Sequence, residues 1–499
     1  MDSDKSFFGH PKGLSTLFFT EMWERFSYYG MRAILLLFMV ATVEEGGMDL
    51  DDRTGNAIYG LYTMFVYLLA LPGGWLADKF FGLRRSVFYG GCIIALGHFC
   101  MAIPLTETFF VGLLLIVLGT GLLKPNISTM VGELYPTSEQ ARRDSGFSIF
   151  YAGINIGGAI APMLTGFFGE KINWHLGFGM AGVGMIIGLI QYKLTEKNLG
   201  AAGLHAVALS GSKEDARSLK SIRNGLWVFG ALLFLLLVSL FTKTISIDPV
   251  FVAKILGYVI PISAIVYFIY VLLFQDLTID ERKKVSAIAI FFVATGLFYA
   301  GYEQQGSSLN LFAKRYTDMF IGSFEMPASW MQTVPPAFVI GFSIFFAWLW
   351  VWLDKRKMNP STPVKLSFGL IFMGLGYAVM MGASLIVMGG DKPLPTYLVI
   401  TYLLHTFGEI CLYPVGLSAV TKLAPKKLVG QLMGVFFIAL AYGNLIAGIF
   451  AGEFDEQAIA ADPSLLLDLF GVVTKVMLIS GIIVLIFSKP IRKLMGNIR

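Results

Sequence analysis

The chain has 499 residues, is rich in apolar side chains and carries little charge. Hydrophobic residues make up 56% of it and charged residues 14%, the mean hydropathy is +0.70 and the formal net charge is +5. A soluble domain has about 25% charged residues, and uncharged runs of about 20 residues recur here along the whole length. These features exclude a soluble multidomain enzyme, a disordered chain and a nucleic-acid-binding protein. They predict an all-α integral membrane protein that crosses the bilayer many times.

The sequence contains no pattern typical of a metal, cofactor or catalytic site. Cys92, Cys100 and Cys411 all lie in apolar segments, where a free thiol behaves as a small buried hydrophobic group. There is no metal-ligand spacing, nucleophile elbow or phosphate-binding loop. We therefore predict a protein that is not an enzyme and uses no cofactor. A sensor or channel remains as an alternative to a carrier.

Fourteen runs are long and apolar enough to cross a hydrocarbon core of about 30 Å. In chain order they lie at 14–41, 55–77, 84–103, 108–131, 146–168, 175–195, 223–241, 250–274, 284–313, 330–353, 364–387, 395–421, 429–451 and 467–488. The first run contains Glu21, Glu24, Arg25 and Arg32 and no small-residue cleavage site, so it is not a cleaved signal peptide. An even number of spans places both termini on the same side of the membrane.

Lys and Arg are distributed unevenly between the connections. Most of them fall in the two tails and in alternate loops, whereas the opposite loops hold few, such as Arg53, Lys171 and Lys392. Loops rich in Lys and Arg remain in the cytoplasm. We therefore expect both termini to be cytoplasmic.

The longest polar connection divides the chain into two halves. The predicted organisation is an N-terminal six-helix bundle at 1–195, a cytoplasmic linker at 196–222, a two-helix insertion at 223–275 and a C-terminal six-helix bundle at 276–499. The similar runs at 75–79 and 352–357, each after the second helix of a bundle, support duplicated halves. Many secondary carriers are built from such repeats, with the substrate bound at the midplane between them.

The first predicted helix carries a polar stripe. At about 100° per residue, six of its side chains fall on one face, and they are Glu21, Glu24, Arg25, Tyr28, Tyr29 and Arg32. Because a charge at the bilayer centre costs about 2.5–3.5 kcal/mol, the stripe is expected to face the bundle interior or water. Glu21 and Arg25 are spaced to form an ion pair, which leaves Glu24 to find a proton or a base on another helix. A purely structural ion-pair network is the alternative.

Three other predicted helices carry one central charge each, at Lys124, Glu303 and Glu409. Together with the four charges of the first helix they sum to −1. One bound proton neutralises this set if all seven side chains line one cavity. Lys475 is expected near the lipid or at a helix end and is left out of the set.

Aromatic and histidine side chains occur beside these charges. Four tyrosines neighbour the stripe or a motif and either contact a ligand or simply pack, namely Tyr28, Tyr29, Tyr62 and Tyr151. Two histidines in apolar runs are expected to be structural, namely His98 and His405.

Several motifs resemble those of one transporter family. The run EMWERFSYYG at 21–30 resembles the ExxERFxYYG signature of proton-dependent oligopeptide transporters, which belong to the major facilitator superfamily. Further matches follow in the same order along the chain, namely GWLADK at 74–79 with Arg84 and Arg85, KPN at 124–126, FYAGINIG at 150–157, EQQ at 303–305 and GEICLYPVGLS at 408–418. The resemblance covers nearly the whole chain.

The resemblance implies a fold, a function and a location. The fold is the major facilitator fold with the 6+2+6 layout of bacterial members. The function is the symport of protons with di- and tripeptides by alternating access, in the inner (cytoplasmic) membrane of a bacterium. The proton is then the coupling ion. The expected partners are peptides, protons and the lipid bilayer, with no nucleic acid, and the monomer is expected to be functional.

The family's roles carry over to individual positions of this sequence. Proton coupling would involve Glu21, Glu24, Arg25 and Glu303. The peptide carboxylate would face Arg25, Arg32, Lys124 and Tyr29, and the peptide amine would face Asn155 and Glu409. The rest of the pocket would comprise Tyr28, Tyr62, Tyr151, Gln304, Ser418 and Phe436. A zwitterionic peptide needs cations at one end and carboxylates at the other, which agrees with this division.

The sequence departs from the family pattern at three positions. Pro335 lies where bacterial members often have Asn, Phe436 where Trp is common, and Gly60 where animal relatives have a histidine. Proton coupling is therefore expected to use carboxylates. The alternative substrate is another small anionic or zwitterionic metabolite such as nitrate, as in plant members. A nitrate carrier has no need of Glu409 opposite the cations, so this residue favours peptide.

Overall fold

The computed structural model describes residues 7–136, 138–204, 213–242, 244 and 246–496. Within them the chain is helical apart from one antiparallel two-stranded ribbon. The α-helices are α1 (Lys12–Val40), α2 (Asp52–Leu68), α3 (Ala70–Leu76), α4 (Leu83–Met101), α5 (Thr106–Glu133), α6 (Gln140–Lys171), α7 (Trp174–Thr195), α8 (Lys213–Phe241), α9 (Pro249–Phe274), α10 (Ile279–Tyr302), α11 (Ser308–Tyr316), α12 (Val334–Lys355), α13 (Thr362–Met388), α14 (Thr396–Leu423), α15 (Val429–Ala451), α16 (Glu456–Ala461), α17 (Ser464–Ile486) and α18 (Ser488–Met495). The ribbon pairs β1 (Phe320–Ile321) with β2 (Phe324–Glu325).

Helices are found at every predicted run of the described chain. Eleven helical segments of the described residues are long and apolar enough to cross a membrane. The predicted all-α membrane fold is therefore confirmed, whereas the count of fourteen spans and the side on which the termini lie remain predictions. Part of the predicted linker, 205–212, lies outside the described residues, as do 1–6 and 497–499 of the predicted cytoplasmic tails.

Some predicted spans are interrupted helices. A π-helical turn, Ala77–Phe81, follows α3. The span predicted at 284–313 breaks at the 3-10 turn Glu303–Gly306, between α10 and α11. The span predicted at 330–353 begins as a 3-10 turn, Ala328–Thr333, before Pro335 enters the first turn of α12. Proline is tolerated there because the first helical N–H groups have no intrahelical acceptor.

The described chain forms two compact units. The first unit consists of Met1–Met31 and Leu68–Pro249, and the second consists of Arg32–Tyr67 and Val250–Arg499. The core of the first unit is an apolar cluster from α1, α4, α5 and α7, which includes Leu14, Leu17, Val87, Leu123, Ile127, Met185 and Leu189. Long apolar helices pack in this way because each buries one stripe against its neighbours.

In the second unit, α2 and α15 approach each other backbone to backbone. A Cβ built on Gly448 lies 2.6 Å from the Cα of Gly60, and one built on Gly60 lies 3.0 Å from the Cα of Gly448. Side chains other than hydrogen do not fit at this crossing. A side chain as large as histidine therefore has no room at position 60.

The inserted helix α9 packs against α15 in the second unit. Tyr442 Oη donates a hydrogen bond to the carbonyl oxygen of Gly257, at 3.2 Å. Ala253, Ala441 and Leu445 are buried in the same small cluster. Most of the remaining surface of α9 is apolar and exposed.

A polar cluster attaches the N-terminal segment to the first unit. His10 Nδ1 lies 2.9 Å from Tyr135 Oη and His10 Nε2 lies 3.4 Å from Ser145 Oγ. Arg142 donates to the carbonyl oxygen of Gly9, at 3.0 Å. Burial and the charge of Arg142 lower the pKa of His10, and burial raises the pKa of Tyr135 to about 12. Both side chains are therefore neutral near pH 7.

Candidate functional site

The polar stripe of α1 forms a buried ion cluster in the first unit. Arg25 Nη2 donates to Glu24 Oε1 at 2.7 Å, and Arg25 Nε donates to Glu24 Oε2. The same Nε lies 3.2 Å from Glu21 Oε1. All three side chains are at most 3% exposed. One guanidinium thus holds two carboxylates in a site closed to bulk water.

This arrangement corrects one expectation. The sequence leaves Glu24 to find a proton or a base on another helix, whereas in the structure its partner is Arg25 on the same helix. Arg25 is long enough to turn its guanidinium back onto Glu24, and burial favours this contact since each lone buried charge is costly. The predicted pair of Glu21 and Arg25 is present, but it shares the cation with Glu24.

Other predicted site residues of the first unit surround this cluster. The guanidinium carbon of Arg25 lies 5.0 Å from the ring centre of Tyr28 and 5.9 Å from that of Tyr29. Lys124, on α5, interacts electrostatically with Glu21. Glu21 Oε2 is buried and accepts no hydrogen bond from any described residue. With Lys124 included, cations and carboxylates balance in this cluster.

Asn155 and Tyr151 lie together on α6 of the first unit. Asn155 Nδ2 donates to the carbonyl oxygen of Tyr151, at 2.9 Å, one turn earlier on the same helix. Its Oδ1 accepts no hydrogen bond within the described part of the chain. Asn155 is buried and Tyr151 is exposed. The amide of Asn155 is thus fixed with its oxygen as the remaining acceptor.

The second unit contains a buried ion pair between Arg32 and Glu303. Arg32 Nη1 lies 2.8 Å from Glu303 Oε2, and both side chains are buried. Glu303 is the first residue of the 3-10 turn between α10 and α11. A Cβ built on Gly306 of the same turn lies 1.8 Å from Tyr59 Oη and 3.4 Å from Arg32 Nε. Glycine at 306 therefore lets Tyr59 and Arg32 approach the backbone of the turn.

Glu409, on α14 of the second unit, binds a tyrosine. Tyr302 Oη donates to Glu409 Oε2 at 2.6 Å. No ion pair involves Glu409 among the described residues. Arg32 and Glu303 neutralise each other, and the charges of the cluster around Arg25 balance. Among the charged residues predicted for the site, the one unbalanced negative charge is therefore that of Glu409.

The other predicted pocket residues of the second unit differ in exposure. Tyr62 and Phe436 are buried, and Phe436 contacts α14 near Gly416. Ser418 is exposed. The side-chain amide of Gln304 donates to the carbonyl oxygen of Ala300 and accepts from the hydroxyl of Ser308. Both ends of this amide therefore form hydrogen bonds to residues close to the helix break. Their roles in ligand binding remain predictions.

Three further side chains were expected outside the site. His98 and His405 are fully buried, and the ring centre of His405 lies 5.0 Å from that of Tyr377. Lys475 is exposed near the middle of α17.

Sequence reasoning missed two polar networks of the second unit. One is the hydrogen bond between Tyr302 and Glu409. In the sequence, its only indication is the position of Tyr302 directly before Glu303, a predicted site residue. The other joins Arg315 to Asp52 at 2.8 Å and to Glu456 at 3.0 Å. Asp52 also accepts the backbone N–H of Glu456, at 2.9 Å. This network ties the start of α2 to α11 and α16.

Comparison with known proteins identifies the family. The model of the POT family matches residues 84–465. The chain belongs to the POT family. The peptide transporter YePEPT of Yersinia enterocolitica subsp. palearctica serotype O:3 (strain YE-P4) is 39% identical to it, over 99% of this chain and 97% of the relative. A di-/tripeptide transporter of Lactococcus lactis subsp. cremoris is 36% identical, over 100% of this chain and 99% of the relative.

A solved POT structure has the same fold. The crystal structure of a mutant peptide transporter POT in complex with alafosfalin superimposes with a TM-score of 0.88 at 39% identity, over 99% of this chain and 98% of that chain. As a POT family member, this protein is a multi-pass membrane transporter and not an enzyme. The resemblance of its motifs to this family is confirmed.

Proposed function

We propose that this POT family member imports di- and tripeptides together with protons, by alternating access, across the inner membrane of a bacterium. The proposal includes fourteen spans in a 6+2+6 order, two cytoplasmic termini and a functional monomer. Relatives at 36–39% identity are named peptide transporters. Two observations carry the proposal. Arg25 is shared by two carboxylates in the first unit, and Glu409 of the second unit has no cation partner among the described residues.

Proton coupling is assigned to the carboxylates that hold Arg25. While Glu21 and Glu24 are both ionised, the guanidinium is fully engaged. Protonation of Glu24 removes its negative charge and weakens both of its bonds to Arg25, since charge-assisted hydrogen bonds are about twice as strong as neutral ones. Arg25 then keeps Glu21 as its ionised partner and can also bind the carboxylate of a peptide, together with Lys124 and Tyr29. Proton binding thereby favours peptide binding.

The second unit contributes the other charged groups. Arg32 is a further ligand for the peptide carboxylate, and it becomes available when protonation of Glu303 weakens their 2.8 Å contact. Glu409 accepts the peptide ammonium group. A ligand that presents a cation to Glu409 compensates a carboxylate that has no cation partner among the described residues.

A competition experiment tests the substrate class. Purified protein in proteoliposomes takes up radiolabelled dialanine in the presence of unlabelled di-, tri- and tetrapeptides, N-acetyl-dialanine and nitrate. We expect competition by di- and tripeptides with free termini, and none by tetrapeptides or nitrate. Competition by nitrate without competition by dipeptides would contradict the proposal and support an anion carrier.

A further inference from the structure

The hydroxyl of Tyr302 is fixed in position at the end of α10. Its ring stacks on Phe298 with ring centres 5.6 Å apart and meets Tyr299 at 5.8 Å. The next residue, Glu303, begins the 3-10 turn and is held by Arg32. Restraints on both the ring and the following backbone thus determine where the hydroxyl points. It donates to Glu409 across to α14.

This hydrogen bond uses one oxygen of Glu409 and leaves the other available. Tyr302 Oη donates to Oε2 at 2.6 Å, a short O–H···O hydrogen bond. Oε1 accepts no hydrogen bond from the described residues, and the Glu409 side chain is only half-buried. The carboxylate is therefore oriented by one oxygen and open to a ligand through the other.

We propose that Tyr302 is a positioning residue for substrate recognition, which holds Glu409 so that Oε1 meets the ammonium group of the peptide. This inference deepens the proposed function and rests on it. Tyr302 itself does not contact the ammonium group. Its contribution is to restrict a flexible carboxylate to one orientation before the substrate arrives, which lowers the entropic cost of binding.

The first test is the substitution Tyr302→Phe, which keeps the aromatic packing and removes only the hydroxyl. Loss of the hydrogen bond that orients Glu409 should weaken substrate binding, and we expect the KM for dialanine to rise about 10-fold, which corresponds to about 1.4 kcal/mol. We expect kcat to change less than about 2-fold, because the loss is in binding. Tyr402→Phe is the matched control. Tyr402 is buried on the same helix as Glu409, and its hydroxyl bonds to no described residue.

The second test compares ligands. Binding of dialanine and N-acetyl-dialanine to purified protein measures how strongly the free amine is preferred. Tyr302→Phe should weaken binding of dialanine about 10-fold and leave N-acetyl-dialanine unchanged. An equal loss for both ligands would show a general structural role and overturn the proposal.

The third test is a double-mutant cycle with Glu409→Ala. If Tyr302 acts only through Glu409, the double variant binds dialanine as weakly as Glu409→Ala alone. Additive losses would overturn the proposal. Failure of the proposed function is distinguishable, because the parent protein would then not bind or transport dialanine at all.

Discussion

Arg32 and Glu303 form a buried ion pair in the second unit, with Nη1 and Oε2 2.8 Å apart, although the two residues are 271 positions apart in the sequence. The pair joins the end of the polar stripe on α1 to the break between α10 and α11. Removing one partner from a buried pair leaves an uncompensated charge, which costs about 3–5 kcal/mol.

We predict that Glu303→Ala destabilises the protein by about this amount, because Arg32 then loses the buried carboxylate that its Nη1 contacts. Thermal unfolding of the detergent-solubilised protein measures the effect. Glu453→Ala is the matched control, since Glu453 pairs with Arg53 on the surface at 3.3 Å. Such exposed pairs contribute about 0–1 kcal/mol. Equal shifts in unfolding temperature for the two variants would contradict the assignment of a buried, energetically important pair.

Glu24→Gln is predicted to separate transport from proton coupling. Glutamine keeps a hydrogen bond to Arg25 but carries no exchangeable charge. We expect proteoliposomes with this variant to exchange labelled for unlabelled dialanine but not to accumulate it when the proton gradient is imposed. The control is Glu196→Gln, which removes a carboxylate from an exposed pair with Lys193 of the same unit. Parental accumulation by Glu24→Gln would rule out the coupling role.

The crossing of α2 and α15 provides a prediction about packing. A Cβ on Gly448 lies 2.6 Å from the carbonyl oxygen of Asn56 and equally close to the Cα of Gly60, and neither backbone atom can move aside alone. We expect Gly448→Ala to lower stability by about 1–3 kcal/mol through overpacking. Gly430→Ala, on the same helix with nothing within 4 Å of its Cβ, should be neutral or slightly stabilising. An unfolding temperature for Gly448→Ala equal to or above that for Gly430→Ala would contradict this close contact between α2 and α15.

His10 gives a prediction about pH. Burial and the charge of Arg142 lower the pKa of His10 in the folded state below its ordinary value of about 6.5. His10 therefore binds a proton more readily in the unfolded chain than in the folded protein. The stability that this cluster contributes is present above about pH 6.5 and is lost as the pH falls through the folded-state pKa of His10. His10→Gln should flatten this part of the profile of unfolding temperature against pH.

Local features of the site followed from the sequence, and distant ones did not. The spacing of Glu21 and Arg25 predicts their ion pair because both lie one turn apart on one helix. The contact of Arg32 with Glu303 and that of Tyr302 with Glu409 join helices far apart in the chain, and no periodicity encodes them. The resemblance named both carboxylates but not their partners.

Backbone breaks were similarly hard to predict. Residues 284–313 form an apolar run whose composition is compatible with one straight helix. The break at Glu303–Gly306 depends on tertiary contacts, since Gln304 bonds to Ala300 and Ser308, and Tyr59 lies against Gly306. Only the folded neighbourhood therefore distinguishes a break from a continuous helix.

The central claim is that proton movement drives peptide accumulation. The direct measurement is uptake of labelled dialanine into proteoliposomes under an imposed inward proton gradient, with and without a protonophore. A potential of 100 mV supplies about 2.3 kcal/mol per charge, which is enough for about 50-fold accumulation with one proton. We predict that dialanine accumulates inside the proteoliposomes above its external concentration. We also predict that the protonophore abolishes this accumulation. Uptake that only equilibrates dialanine, or that is indifferent to the protonophore, would contradict the account.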